Sequence, residues 1–420
     1  MIRTVGDGVG MAVRSLALPW FFGMRWMSAP EGPGGSKLPR PDFSLRLAAK
    51  VAADEFFLAT EVVSMNLIAA RERGRIQQEI SEARDLYRER GWLARPSLYH
   101  RTPPPLRRVR RQQERAGGFA YEQLSFESGF VPHPGEPGRQ RWIGYRPNRT
   151  AHARLLRHEG AERPWVVCIP GYRMGNATVD LTGFRAGWLH EELGLNVAIP
   201  VLPFHGPRRV GRRGGDGFLT GDFLDTVHAQ TQAVWDTRRL IHWLRDEGAP
   251  AVALYGLSLG GYTAALVAAL EAGLDCVVAG IPASCFVGLA RANAPGLLLR
   301  AAERFGFDWN EVGELLRVVS PLAMPARVPW ERRFMFAGVA DRLAPPQQAH
   351  DLWVHWGRPR VQWYQGSHVS FFVEPDVQRL VREALDRTGV LAARSRHRPR
   401  RATVGSQAPR RPSLRPRQAL

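Results

Sequence analysis

Residues Ala251-Val-Ala-Leu-Tyr255-Gly256-Leu-Ser258-Leu-Gly260-Gly261-Tyr-Thr-Ala-Ala265 decide how the rest of the chain is read. Ala251 to Tyr255 is a short apolar run, suited to a strand buried on both faces. From Leu259 to about Leu270 the chain is apolar and alanine-rich, the composition of a buried helix. Between the two, Gly256-Leu-Ser258-Leu-Gly260 has to turn within a few residues. Gly256 and Gly260 lack a Cβ, so neighbouring backbone can approach them closely. Ser258 is therefore expected in a strained turn with its hydroxyl pushed into open space, as a nucleophile. The N–H of Leu259, at the helix start, would point at a developing negative charge. The bland alternative is a tight strand–helix turn carrying an exposed serine.

The 420 residues are 44% hydrophobic and 10% aromatic, enough to bury a sizeable core and to exclude a disordered protein. The net charge of +19 is unevenly placed. Residues 391–420 hold nine arginines and no acid, and residues 101–115 hold six arginines against one Glu. The first reads as a basic disordered tail, either solubilising or able to touch an anionic surface. No aromatic residue interrupts it, so no specific nucleic-acid partner is expected.

Three cysteines, Cys168, Cys276 and Cys285, show no metal spacing, and two fall in expected core strands. They read as reduced thiols in a cytoplasmic protein without a metal site. Near the N-terminus, Arg3 and Arg14 precede the apolar run Leu16 to Met24, which Pro19 interrupts. That resembles a signal peptide, but Arg25 and Trp26 follow without a small-residue cleavage site. No apolar stretch of about 20 residues is present, so no transmembrane helix is expected. Peripheral contact with an anionic membrane through Trp20, Phe21, Phe22 and Trp26 stays open.

Along the chain, residues 1–42 are an N-terminal segment and linker. Residues 43–118 read as a helical hairpin followed by a basic, Pro-rich linker at 101–118. In the hairpin, Leu47, Val51, Leu58, Val62 and Met65 recur at helical spacing, as do Ile76, Ile80, Ala83 and Tyr87. The hairpin is expected to pack on the main domain, with partner or membrane binding as the alternative. Residues 119–390 alternate strands and helices. Strands are expected at 121–127, 153–157, 164–171, 196–202, 251–255, 275–281, 333–337 and 361–364. Helices are expected at 184–192, 224–247, 347–356 and 377–385. This is the pattern of a doubly wound, mostly parallel sheet. Residues 284–329 form an insertion with helices expected at 297–304 and 311–318. No glycine-rich dinucleotide fingerprint or P-loop occurs, so no cofactor is expected.

A nucleophilic serine needs a base, and the base needs an orienting acid. In such sheets functional groups gather at the carboxyl ends of strands. After strand 333–337 comes Gly338-Val-Ala-Asp341, and after strand 361–364 comes Gln365-Gly-Ser-His368. Taken singly, Asp341 fits an Asx turn and His368 a backbone-bonded loop histidine. Together they supply an acid and a base after successive strands. His205, in Pro203-Phe-His-Gly-Pro-Arg208, is a further candidate for lining the pocket.

With Gly256-Leu-Ser258-Leu-Gly260, Asp341 and His368 in that order, residues from about 120 to 390 resemble the α/β-hydrolase superfamily. Pro203-Phe-His-Gly-Pro-Arg208 and Gly366-Ser-His368 look like hydrolase-domain proteins grouped with its lipid deacylases. The resemblance implies an α/β-hydrolase fold with a helical cap at 284–329. It implies a Ser258–His368–Asp341 triad and an oxyanion hole from the amides of Leu259 and of Tyr172, which follows Gly171. It implies serine esterase or lipase-like cleavage of a small-molecule acyl ester through an acyl-enzyme. A peptidase or acyltransferase on the same triad, and a non-enzymatic scaffold, are the alternatives. In the insertion, Phe286, Leu289, Leu297, Leu298, Leu299, Phe305, Phe307 and Trp309 suggest an apolar acyl pocket. The arginines between 207 and 213 could steer an anionic head group.

Overall fold

The computed structural model describes residues 38–64, 70–160, 162–219, 221–293, 299–300, 303–304 and 306–393. The aromatic run at Trp20–Trp26, the arginines of the tail from Arg394 onward, and Leu297, Leu298 and Phe305 lie outside the described residues.

The described residues include nine strands: β1 Arg110–Ala116, β2 Phe119–Glu127, β3 Thr150–Leu156, β4 Trp165–Ile169, β5 Asn196–Val201, β6 Val252–Leu257, β7 Cys276–Gly280, β8 Arg333–Gly338 and β9 Arg360–Tyr364. They form one sheet in the order β1-β2-β3-β5-β4-β6-β7-β8-β9. The first three strands and β5 pair antiparallel, and from β5 onward every pairing is parallel. Among the described residues ten α-helices flank it: α1 Leu45–Ser64, α2 Ala70–Glu89, α3 Arg139–Gly144, α4 Ala177–Gly183, α5 Phe223–Asp246, α6 Leu259–Leu270, α7 Phe286–Asn293, α8 Trp309–Leu316, α9 Pro346–His355 and α10 Pro375–Arg387. Side chains of β4 alternate between the two faces, as a pleated strand requires. Trp165, Val167 and Ile169 enter the layer containing α5 and α6, and Val166 and Cys168 enter the layer containing α10.

Two expectations are corrected. Residues 101–118 are not all linker, because Arg110–Ala116 is an edge strand paired with β2 across Gly117-Gly118. Both glycines have positive φ, +56° and +84°, as a two-residue hairpin turn demands. The strand is exposed along nearly its whole length, so it carries charge instead of an apolar pattern. A charged edge also discourages pairing with another chain. The helix expected at 184–192 starts earlier, as α4. Asn176 caps it, its Oδ1 accepting the amides of Thr178 and Val179. The expected stretch itself is helical from 186 to 192, with Trp188–Glu192 in π-helical form.

The two N-terminal helices are built into the molecule separately. Ile76, Ile80, Ala83 and Tyr87 of α2 join the core that also holds α5. The buried carboxylate of Glu136 accepts the hydroxyls of Tyr87 at 2.5 Å and Tyr99 at 2.6 Å. Arg84 pairs with Glu311 and Glu314 of α8, each at 2.5 Å. On α1, Leu47 and Val51 pack on Val339 and Ala340, just before Asp341. Among the described residues, no helix is long and apolar enough to cross a membrane.

Candidate active site

Ser258 adopts φ +56°, ψ −113°, a conformation that costs a non-glycine residue roughly 1–3 kcal/mol. The surroundings enforce it. The Ser258 amide donates to Gly280 O at 2.9 Å, and Ser258 O accepts from the amide of Tyr262 at 3.0 Å. The two glycines allow the backbone to close: a Cβ on Gly256 would lie 2.1 Å from Gly260 O, and one on Gly260 would lie 1.8 Å from Ile169 O. Ser258 itself is half-buried. Among the described residues its hydroxyl has no hydrogen-bond partner. Catalytic hydrogen bonds often tighten only once substrate is in place.

Asp341 and His368 meet. His368 Nδ1 donates to Asp341 Oδ2 at 2.6 Å, and both residues are buried. The other oxygen, Oδ1, accepts the amides of Leu343 at 2.9 Å and Ala344 at 2.8 Å. Asp341 thus makes an Asx turn with one oxygen and holds the histidine with the other. With Nδ1 engaged, Nε2 is the ring nitrogen left to act on a serine hydroxyl. The two loops also join through backbone, with the Ala340 amide on Gly366 O at 3.1 Å.

Gly171 lies against the elbow, the position of a Cβ there being 3.3 Å from Ser258 Cβ. Tyr172 follows it. Among the described residues, neither the Tyr172 nor the Leu259 amide has an acceptor, which leaves both donors open. The guanidinium of Arg173 covers the Tyr172 ring at 4.7 Å. His205 is buried and meets the Tyr172 ring edge-on at 6.0 Å. Its Nδ1 donates to Pro203 O at 2.8 Å, and its Nε2 has no described partner. His205 thus backs the loop that carries Gly171 and Tyr172. Arg208 is unavailable to any head group, being buried against Asp236 at 2.9 Å.

Sequence reasoning missed the part played by α1. Asp54 is fully buried and accepts three amides: Oδ2 takes His368 at 2.8 Å and Arg342 at 2.9 Å, and Oδ1 takes Val369 at 3.0 Å. Glu55 pairs with Arg342 at 2.6 Å. Lys50 binds Glu374 at 2.5 Å and Gln365 O at 3.0 Å. Glu61 holds Arg173 at 2.6 Å. One helix therefore touches the loops that carry Asp341, His368 and Tyr172. A signal existed: 47, 51, 54 and 58 share one stripe, and Asp54 interrupts its apolar residues. A charge on a buried stripe must find partners.

The electrostatics favour a charged His368. Burial pushes its imidazolium down, but the charge and hydrogen bond of Asp341, with the charge of Asp54, outweigh burial and raise it above its ordinary value. Burial, then repulsion from Asp341, raises Asp54 to about 6 against the pull of His368 and two amides. Burial holds His205 down at about 4, with Arg173 and Arg208 adding to it, so it is neutral near pH 7.

The insertion differs from the expected acyl pocket. Phe286 stacks on Tyr262 of α6 at 4.1 Å, and Phe307 and Trp309 pack on each other and on Phe223. These rings hold the insertion to the core. Among the described residues, no cluster of His, Cys, Asp and Glu is placed to hold a metal ion.

No protein-family model matches the chain. Two Mycobacterium tuberculosis proteins, both described as uncharacterized, are 43% and 42% identical over 373 residues. Each match spans 88% of this chain and 89% of the relative. Among solved structures, an acetyl xylan esterase from Paenibacillus sp. R4 aligns with a TM-score of 0.50 at 14% identity, over 73% of this chain and 94% of its own. The chain is an α/β-hydrolase-fold member of the family that includes the two mycobacterial proteins. An acetyl xylan esterase from Thermoanaerobacterium sp. is more distant, with a TM-score of 0.45, 15% identity and coverage of 70% and 92%. In this α/β hydrolase fold, Ser258, Asp341 and His368 all follow the carboxyl ends of their strands, β6, β8 and β9.

Proposed function

We propose that the protein is a serine hydrolase that cleaves a carboxylic ester through a Ser258–His368–Asp341 triad. The observation that carries this reading is the strained φ of +56° at Ser258, on a turn open at its Leu259 amide, together with the 2.6 Å His368–Asp341 bond. A structural serine has no reason to occupy so costly a conformation. In the proposed reaction, His368 Nε2 takes the Ser258 proton as Oγ attacks the ester carbonyl. The Leu259 and Tyr172 amides receive the oxyanion. Collapse expels the alcohol, which takes the proton from His368, and leaves an acyl-enzyme. Water, deprotonated by His368, then releases the acid. Asp341 keeps the imidazole in the required tautomer and stabilises its charged form.

The acyl group is proposed to be lipophilic. Supporting this is the half-buried Leu299 of the insertion, since the insertion's aromatic rings and Leu289 are committed to packing. A fluorophosphonate probe is expected to label the wild type and not Ser258→Ala; equal labelling of both would refute the nucleophile. A panel of acyl esters, thioesters and aminoacyl amides of graded chain length then reads the substrate class. Esters of longer chain are expected to give the highest kcat/KM.

A further inference from the structure

The Asp54 carboxylate sits 314 positions before His368 in sequence and on a helix outside the sheet, yet it accepts the amide of the base itself. It also accepts the amides on either side of the catalytic pair: Arg342 directly follows Asp341, and Val369 directly follows His368. Among the described residues no cation pairs with it, so its charge is met by backbone N–H groups alone. Burying a carboxylate without a cation is expensive, and neutral acceptors could serve the same amides. The cost is compounded by placing it near Asp341, so that two carboxylates share one histidine.

We propose that Asp54 is a positioning residue for the general base. It fixes the backbone of His368 against the acid loop, and it supplies a second negative charge that favours the imidazolium formed during acyl transfer. This rests on the serine-hydrolase reading above. The groups facing Asp54 are few. Asp341 and His368 come from the catalytic loops, and the Arg342–Glu55 ion pair lies alongside. Tyr364 of β9 has a phenol raised by burial first and by Asp341 and Asp54 next, so it stays neutral. The Lys50–Glu374 pair is already internally neutralised. His368 is therefore the one partner whose charge Asp54 can favour.

The isosteric Asp54→Asn keeps one acceptor oxygen for the amides and removes the charge. Full-length wild type, Asp54→Asn and Ser258→Ala are compared by the rate of fluorophosphonate labelling across pH 5–9, with thermal unfolding as a fold check. Removing a negative charge near the imidazole lowers its pKa. The acid-side midpoint of Asp54→Asn is therefore expected to move about one unit to lower pH. The plateau rate is expected to fall about 10-fold, as for a barrier raised by one such unit. A merely structural role would lower the folded fraction without moving the midpoint. A folded Asp54→Asn with wild-type rate and midpoint would overturn the proposal. If Asp54→Asn does not fold, the wild-type profile decides. There the His368 imidazole, followed by NMR, is expected to titrate in two steps, with a second inflection near pH 6 as Asp54 takes up its proton, and a single-site curve would overturn the proposal. Labelling of Ser258→Ala at the wild-type rate would instead refute the triad itself, whatever Asp54 does.

Discussion

The carbonyl oxygen of Ile169 lies 1.8 Å from where a Cβ on Gly260 would stand. The contact is backbone against backbone, so no side chain can swing away to relieve it. Gly260→Ala is expected to destabilise the fold by about 3 kcal/mol or more, the upper end for overpacking. Chemical denaturation against wild type reads this directly. A loss under about 1 kcal/mol would show that the turn can open.

Strain at Ser258 predicts the opposite sign. Glycine tolerates φ +56° freely, and its entropic penalty of about 0.5–1 kcal/mol offsets only part of the strain relieved. Ser258→Gly is expected to gain about 1 kcal/mol in stability and lose labelling. Ser258→Ala keeps the strain and is expected to match wild type in stability. The same denaturation experiment separates the two variants.

Asp341→Asn retains shape but replaces the Oδ2 acceptor with, in one rotamer, an N–H facing His368 Nδ1. The imidazole then favours the wrong tautomer. kcat is expected to fall about 10³- to 10⁴-fold with KM little changed. In wild type, kcat/KM is expected to fall as pH drops through the raised His368 pKa, so the acid limb lies above pH 6.5. An acid limb centred below 6 would contradict the carboxylate pairing.

Stability has its own pH dependence. Burial pushes His100, His152 and His205 down to about 4, so they are neutral when folded. Their folded pKa lies below the unfolded value, so their contribution is present above about 6.5 and lost as pH falls toward 4. Asp54 runs the other way. Its pKa is raised, so its contribution is present below about 3.8 and lost as pH rises through about 6. Asp180, also raised to about 6 by burial, joins it, and three groups against two leave unfolding with net proton uptake near pH 5. The melting temperature is expected to fall from pH 7 to pH 5, and His205→Gln is expected to flatten that slope.

Glu136 ties α2 and the turn ending at Tyr99 to the core through two tyrosine hydroxyls. Tyr87→Phe removes one donor to a buried carboxylate, and a loss of about 1–3 kcal/mol is expected. A change below 0.5 kcal/mol, read by denaturation as about zero, would mean that Tyr99 and the His133 amide satisfy Glu136 alone.

The candidate site was legible because Ser258, Asp341 and His368 each sit in a loop that follows an apolar strand run. Asp341 and His368 could be placed by counting strands, without knowing any contact. The edge strand Arg110–Ala116 was not legible by the same logic. An exposed strand has no apolar alternation, and only Gly117-Gly118 marked the hairpin. Asp54 was hidden differently. Its partners are backbone amides about 290 and 315 positions away, and amides carry no side-chain signature. The arginine-rich stretch at 208–213 misled in part, since Arg208 is spent inside the core on Asp236.

The bonds from α1 to the catalytic loops also impose an order of assembly. On a ribosome α1 emerges early, while the backbone amides of His368 and Val369 emerge some 315 residues later. Until then Leu47, Val51 and Asp54 have no surface to rest on, and contacts of such long sequence separation form late and slowly. A nascent or truncated chain would already hold the serine elbow but not the docked helix. The α1 bonds to the acid and base loops would complete the site only near the end of synthesis.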